Sequence, residues 1–439
     1  VRRLAAPGPF AWLAALLLLP GSAGAASPTR PTSVRAVSAD TFLSSLGVNT
    51  HVDQGYDPRS YIGPLRYLGV RQVRDAERHV DGEVAIARAT GVHFVINGAG
   101  NLSGLIASAE VLAKAGALLA VEGPNEPNNF PITYNGQTGG GMGHSWHAVA
   151  AFQTALYAAA TRIPVLASYP VFGVSETGAE TDDVGLQYRT VPIGVGAVFP
   201  AGTQFSDFVN VHNYVSGVHG GYDSNQAWNA ASPTLNGRWD GLYGNCGVTW
   251  FRHFKGYSLA GLRNVPRVTT ETGWDSVSDP GGEATQGAVL TNTYLSQFKR
   301  GWRYTFIYEL RDGEGGQGHQ GLFDGERPKP AATDIHNLTT ILADDKPLPH
   351  PGQLSYAIQN PTPTVHDLLL QKSDGEFDLI VWDEQPSGID HLTVNFGSSQ
   401  KIAEVYDILQ SSEAVGTLHF VKRVELTLSD HAMIITLPN

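Results

Sequence analysis

The chain has 439 residues, 42% of them hydrophobic and 16% charged, with 50 glycines and 26 prolines; this is the composition of a folded protein whose length suits one large domain and a smaller companion. With 41 acidic residues against 29 Lys plus Arg, the formal charge of −12 leaves no basic surplus to displace counterions along a phosphate backbone, which argues against a nucleic-acid partner. The single cysteine, Cys246, can form neither an internal disulfide nor a zinc cluster and reads as a buried, inert thiol.

The N-terminal segment has the pattern of a secretory signal. Arg2 and Arg3 precede an apolar run from Phe10 to Leu19, and the small residues Ala23-Gly24-Ala25 follow. The run is short for a membrane span, and no later segment is long and apolar enough to make one. Cleavage after Ala25 would remove two positive charges and no negative ones, taking −12 to −14. A secreted or periplasmic protein with no stable membrane insertion is expected, with residues 26–40 as a linker.

From about Thr41 the chain alternates short apolar runs with amphipathic stretches, as repeated βα units do. The predicted strands are Leu46-Gly-Val48, Val70-Arg-Gln-Val-Arg74, His93-Phe-Val-Ile96, Leu118-Leu-Ala-Val121, Val165-Leu-Ala167, Phe208-Val-Asn-Val211, Val268-Thr-Thr270 and Tyr304-Thr-Phe-Ile-Tyr308. Helices are predicted between them, for example from Trp146 to Ala160 and from Ala284 to Arg300. Eight strands in about 270 residues match an α/β fold of the (β/α)8 TIM-barrel type over 41–345, although an open doubly wound sheet alternates similarly. Beyond Asp344-Asp-Lys-Pro-Leu-Pro-His-Pro351, whose prolines disfavour regular structure, the texture changes. Leu368-Leu-Leu370, Phe377 to Trp382, Leu392 to Phe396, Ile402 to Tyr406, Leu418 to Val421 and Met433 to Leu437 are short β-type runs between turns, predicting a C-terminal antiparallel β-sandwich over 346–439.

Two segments place a glutamate at the C-terminal end of a predicted barrel strand, where such barrels carry their active sites. Glu126 lies in Val121-Glu-Gly-Pro-Asn-Glu-Pro-Asn-Asn129 after the fourth strand, and Glu271 in Val268-Thr-Thr-Glu-Thr-Gly-Trp274 at the end of the seventh. Paired carboxylates suit glycosidic cleavage because one must protonate a poor leaving group while the other stabilises or captures the oxocarbenium-like centre. Around them, Asn125 suits a sugar hydroxyl and Trp274 offers a flat apolar face to a sugar ring. Asp207-Phe-Val-Asn-Val-His-Asn-Tyr214 brings His212 and Tyr214 to the end of the sixth strand, where a tyrosine hydroxyl would favour the ionised nucleophile; Arg74 would do so by charge. Glu309, at the end of the eighth strand, is a further candidate for substrate contact. Trp239 and Trp250 read as packing residues.

Together these motifs resemble the signature of clan A glycoside hydrolases, and within the clan the chain looks most similar to the bacterial family 39-like group. Gly123-Pro-Asn-Glu-Pro-Asn128, Val209-Asn-Val-His-Asn-Tyr214 and Thr270-Glu-Thr-Gly-Trp274 carry the clan resemblance, and Phe306-Ile-Tyr-Glu-Leu-Arg-Asp312 with the trailing sandwich carries the narrower one. The resemblance implies a retaining mechanism with Glu126 as acid/base, Asn125 as its substrate-binding neighbour and Glu271 as nucleophile, on a β-linked oligo- or polysaccharide. It needs no cofactor and no metal. The chain departs from the clan in having Glu309 where many members place a tryptophan.

Two other functions fit parts of the same pattern. A non-catalytic carbohydrate-binding or exopolysaccharide-organising barrel would have the same fold, and a transglycosylase would use the same two glutamates. Gly143-His-Ser-Trp-His147 lacks the second glycine of a serine nucleophile elbow, and no His-Glu-x-x-His motif is present for zinc. The acidic balance favours a neutral or cationic glycan over a strongly anionic one unless a local basic patch overrides it. Sugar identity, linkage and endo or exo action depend on loops, chiefly Gly136 to Gly143 and Gly217 to Gly247.

Overall fold

The computed structural model describes residues 29–98, 100–141, 144–175, 189–190, 198–212, 214, 264–278, 281–316, 318–384 and 388–439. The secretory segment, Trp239, Trp250, Cys246 and the loop from Gly217 to Gly247 lie outside the described residues, as do two residues of the loop from Gly136 to Gly143.

Eight parallel strands form the barrel: β1 Leu46–Asn49, β2 Gln72–Ala76, β3 His93–Asn97, β4 Leu118–Glu122, β5 Val171–Phe172, β6 Val209–Asn210, β7 Arg267–Thr272 and β8 Tyr304–Ile307. Their hydrogen-bonded order is β6-β7-β8-β1-β2-β3-β4-β5. A parallel bridge between Phe172 and Phe208 then brings the two ends of the sheet together. Strands in such a sheet are covered on both faces, which is why the sequence shows continuous apolar runs rather than alternation. Val95, Ala120, Phe172, Val268 and Phe306 fill the barrel interior as one cluster. Gly47 on β1 is required there, because a Cβ would lie 2.3 Å from the Phe306 ring.

The longer described helices around the barrel are α1 Arg59–Leu68, α2 Val80–Thr90, α3 Leu102–Lys114, α4 His147–Arg162, α5 Gly282–Lys299 and α6 Pro330–Ile341. Local chemistry marks their ends: the Asn101 side chain accepts from the Gly104 amide at the start of α3, and Gly69 closes α1 in the left-handed conformation. The fifth strand is displaced from its predicted place. Val165-Leu-Ala167 forms turns after α4 with Leu166 buried in them, and the strand is Val171–Phe172; so short an apolar run does not distinguish strand from buried turn.

The C-terminal domain is antiparallel, with β9 Gln353–Gln359, β10 Val365–Gln371, β11 Phe377–Asp383, β12 Asp390–Asp407, β13 Gly416–Leu428 and β14 Ala432–Leu437. The two runs predicted as separate strands at Leu392 and Ile402 are one 18-residue strand, β12, with a register shift between Asn395 and Gln400. Its first half pairs with β9 and its second with β14. Residues 26–40 are not simply a linker: Thr32–Arg35 pairs with β9, and Val37–Ser38 pairs with β10. The sheet's edges thus recruit backbone from before the barrel.

Strand β11 shows how the two domains hold together. Leu379 and Val381 enter the core of the β domain, while Ile380 and Trp382 on the opposite face join the main barrel core. Against that face lies α5, buried on almost every side from Gln286 to Gln297. The Trp382 indole donates to Ser296 Oγ at 2.8 Å, and Asn292 donates to the carbonyls of Asp383 and Asp430. Arg300 forms a two-pronged pair with the buried Glu384 at 2.7 and 2.8 Å. The barrel and the β domain therefore share a packed boundary.

Candidate active site

The site is built where β2, β4, β6 and β7 end on one rim. Arg74, from β2, is buried and uses all five of its N–H donors. Nε and Nη2 form a fork with Glu122 at 2.7 and 2.8 Å, and Nη2 also reaches Asn125 Oδ1 at 2.7 Å. Nη1 donates to Asn49 Oδ1 at 3.1 Å and to Glu271 Oε1 at 2.5 Å. Burial opposes the guanidinium's charge, but the carboxylates of Glu122 and Glu271 outweigh it and hold Arg74 above its ordinary pKa.

Glu271 receives a second bond on its other oxygen, from the Tyr214 hydroxyl at 2.7 Å. Burial, followed by the charges of Glu271 and Glu126 and the neighbouring Tyr308, pushes the Tyr214 phenol well above its ordinary range, so it acts as a donor at any moderate pH. Glu126 sits just beyond β4 with φ of 38°, a left-handed conformation that a non-glycine residue keeps only where its surroundings impose it. Its carbonyl accepts the amides of Asn129 and Phe130, each at 2.8 Å. Its Oε2 accepts from Asn129 Nδ2 at 2.9 Å, and its Oε1 shares a hydrogen bond of 2.7 Å with His212 Nδ1. His212 Nε2 lies 3.0 Å from Thr270 Oγ1.

His212 also lies 3.4 Å from Glu271 Oε2, so it stands between the two glutamates. One ligand-type atom from each of Glu126, His212 and Glu271 falls within 4.8 Å of the others. Such a trio has donors a metal ion would accept, but the Arg74 guanidinium already supplies positive charge to Glu271 at 2.5 Å. Glu126 and Glu271 are about 8% and 7% exposed, which leaves each a narrow opening outward.

The remaining sequence candidates fall differently. Asn125 is partly exposed; because Arg74 occupies its carbonyl oxygen, its amide nitrogen is the end turned away. Arg74 and His212 are buried, so both reach a ligand through the glutamates rather than by touching it. Trp274 is not a sugar platform. Its side chain is 0% exposed within the main core, because the turn after Glu271 folds the ring inward between barrel and helices. Glu309 is likewise 0% exposed and makes no surface for substrate; its Oε2 lies 3.1 Å from His51 Nε2. Burial, with the charges of Glu314, Asp312 and Glu271, raises Glu309 to about 10, and burial lowers His51 to about 4, so both are neutral near pH 7.

Sequence reasoning passed over Glu122, Asn49 and Thr270. Thr270 Oγ1 donates to Glu122 Oε1 at 3.1 Å and accepts from Asn210 at 2.9 Å, tying β4, β6 and β7 together below the glutamates. The signal for Glu122 was present in Val121-Glu-Gly-Pro-Asn-Glu126, a charged residue closing an otherwise apolar strand. A carboxylate there requires a buried cation.

The structural neighbours of this chain are clan A glycoside hydrolases, and they share its fold of an eight-stranded βα barrel with an appended antiparallel β domain. They include a family 39 glycoside hydrolase from the gut symbiont Bacteroides cellulosilyticus WH2, with TM-score 0.58, 16% identity and coverage of 92% of this chain and 82% of that one. The family 51 arabinofuranosidase of Xanthomonas axonopodis pv. citri matches with TM-score 0.55 and 14% identity over 93% and 98% of the two chains. A family 30 subfamily 8 xylanase from Clostridium acetobutylicum matches with TM-score 0.53 and 10% identity over 93% and 97%. No family model and no curated protein matches the sequence. The likeness is one of fold.

Proposed function

We propose that this protein is an exported, retaining glycoside hydrolase that cleaves a β-linked oligo- or polysaccharide by double displacement. In the first step a Glu271 oxygen bonds to the anomeric carbon as the glycosidic C–O bond breaks, and Glu126 gives its proton to the leaving oxygen. In the second, Glu126 takes a proton from water, whose oxygen displaces Glu271 and regenerates the original anomeric configuration. The observation that carries this reading is the approach of Glu126 and Glu271, with oxygens within 4.8 Å. Retaining pairs stand about 5–5.5 Å apart, whereas an inverting pair needs roughly 6.5–9.5 Å for an intervening water. Arg74 and Tyr214 each donate to one oxygen of Glu271, and Asn125 turns an amide outward for a sugar hydroxyl.

Export rests on the Arg2-Arg3, Phe10 to Leu19, Ala23-Gly24-Ala25 pattern. No helix among the described residues is long and apolar enough to cross a membrane. Glu126→Gln and Glu271→Gln are each expected to fold normally and to lose hydrolysis of activated aryl glycosides and of the polysaccharide that the wild type cuts. Proton NMR of the first product should show the β anomer. Full activity in both variants, or release of the α anomer, overturns the assignment.

A further inference from the structure

We infer that Glu122 is a positioning residue of this site, one that aims Arg74 at Glu271. The inference rests on the glycosidase reading for its kinetic consequence, though its structural half stands without it.

The geometry makes Glu122 the partner that orients the guanidinium. It is 0% exposed, at the end of β4, and it alone engages Arg74 through a two-pronged contact, at 2.7 and 2.8 Å. A fork of this kind fixes the plane of the guanidinium, whereas a single N–H···O contact leaves it free to rotate. With the plane fixed, the opposite edge carries Nη1 to Asn49 and Glu271 and Nη2 to Asn125. Glu122 is itself held by Thr270 Oγ1 at 3.1 Å. Thr270 precedes the nucleophile, so the two carboxylates on either edge of Arg74 are linked to adjacent residues of β7.

One cation thus serves two buried carboxylates. Among the described residues, the charged and titratable groups facing Glu271 are Arg74 from β2, Glu126 from beyond β4, His212 and Tyr214 from beyond β6, and Tyr308 with Glu309 from beyond β8. Glu122 adds a negative charge behind Arg74 and, through the fork, keeps the Nη1 edge turned to Glu271. With an amide in its place a charged prong is lost, the guanidinium plane is freer to rotate and the Nη1 contact to Glu271 loosens.

Glu122→Gln weakens the fork by removing its charge, and Glu122→Asp by shortening its reach. In each, kcat is expected to fall about tenfold or more with KM within threefold. Nitrogen-15 NMR of arginine side chains supplies a readout independent of activity: the Arg74 Nε–H signal, slow to exchange in the wild type, should shift and exchange faster in either variant. An unchanged Arg74 signal overturns the positioning role. A kcat within twofold of wild type in Glu122→Gln overturns the consequence for Glu271. If Glu122→Gln does not fold, Glu122→Asp decides, and a kcat within twofold of wild type refutes the inference. A wild type inactive on every glycoside would defeat the glycosidase reading, while the NMR comparison still decides whether Glu122 holds Arg74.

Discussion

Replacing Tyr214 by phenylalanine tests the electrostatics of the nucleophile most directly. The hydroxyl donates to Glu271 Oε2 at 2.7 Å, and a hydrogen bond to a charged group contributes about 1.5–3 kcal/mol. The loss should fall in the lower half of that range, because His212 Nδ1, 3.4 Å from the same oxygen, can take over part of the contact. At about 1.4 kcal/mol per factor of ten, kcat/KM is expected to drop roughly 10- to 30-fold. The assay is kcat/KM on an activated aryl glycoside, with thermal melting to confirm that the barrel is intact. A kcat/KM within threefold of wild type would show that the Tyr214 hydroxyl does not support Glu271.

Other substitutions probe the surroundings. Glu309 is neutral in the folded protein up to about pH 10 but titrates near its ordinary value of 4.5 when unfolded, so it costs stability progressively as pH rises between those values. Glu309→Gln should therefore melt above wild type at pH 8, with the gap closing toward pH 4.5; parallel melting curves at all pH values would refute this. At the domain boundary, Arg300 outweighs the burial of Glu384 and brings it down to about 2, so this pair stabilises the fold above pH 4.5 and ceases to do so as pH falls toward 2. Arg300→Met leaves Glu384 buried with the Ser296 hydroxyl at 2.6 Å and His366 at 3.0 Å as its partners and should cost about 3 kcal/mol in urea unfolding at pH 7. Expression in a secreting host should yield a mature chain beginning at Ala26, read by intact mass.

Much of the barrel was legible before any coordinates, because strands covered on both faces must be continuously apolar and must alternate with helices. The glutamates near the ends of β4 and β7 were legible from their motifs, Asn125-Glu126-Pro127 and Thr270-Glu271-Thr272, whereas Glu122, which closes the apolar run of β4, has no such motif around it. His212 and Tyr214 were visible by their spacing past β6. What spacing cannot express is which distant side chains share a rim, and it was the closure of the barrel that decided the partners. The fork from Arg74 to Glu122, the placement of His212 between the glutamates and the burial of Trp274 all depend on residues far apart in the chain meeting at fixed distances. The same holds for Glu309, whose carboxyl is neutral only because the fold removes it from water beside other acids. In the β domain, the turn-like residues near Gly397 divided β12 into two predicted strands, whereas cross-strand pairing carries it through a register shift as one. Local sequence thus determined the elements and the two glutamates, since propensity and periodicity act over a few residues. Burial, pairing and charge state were decided by tertiary structure, because each is an energy shared between segments that only the closed fold brings together.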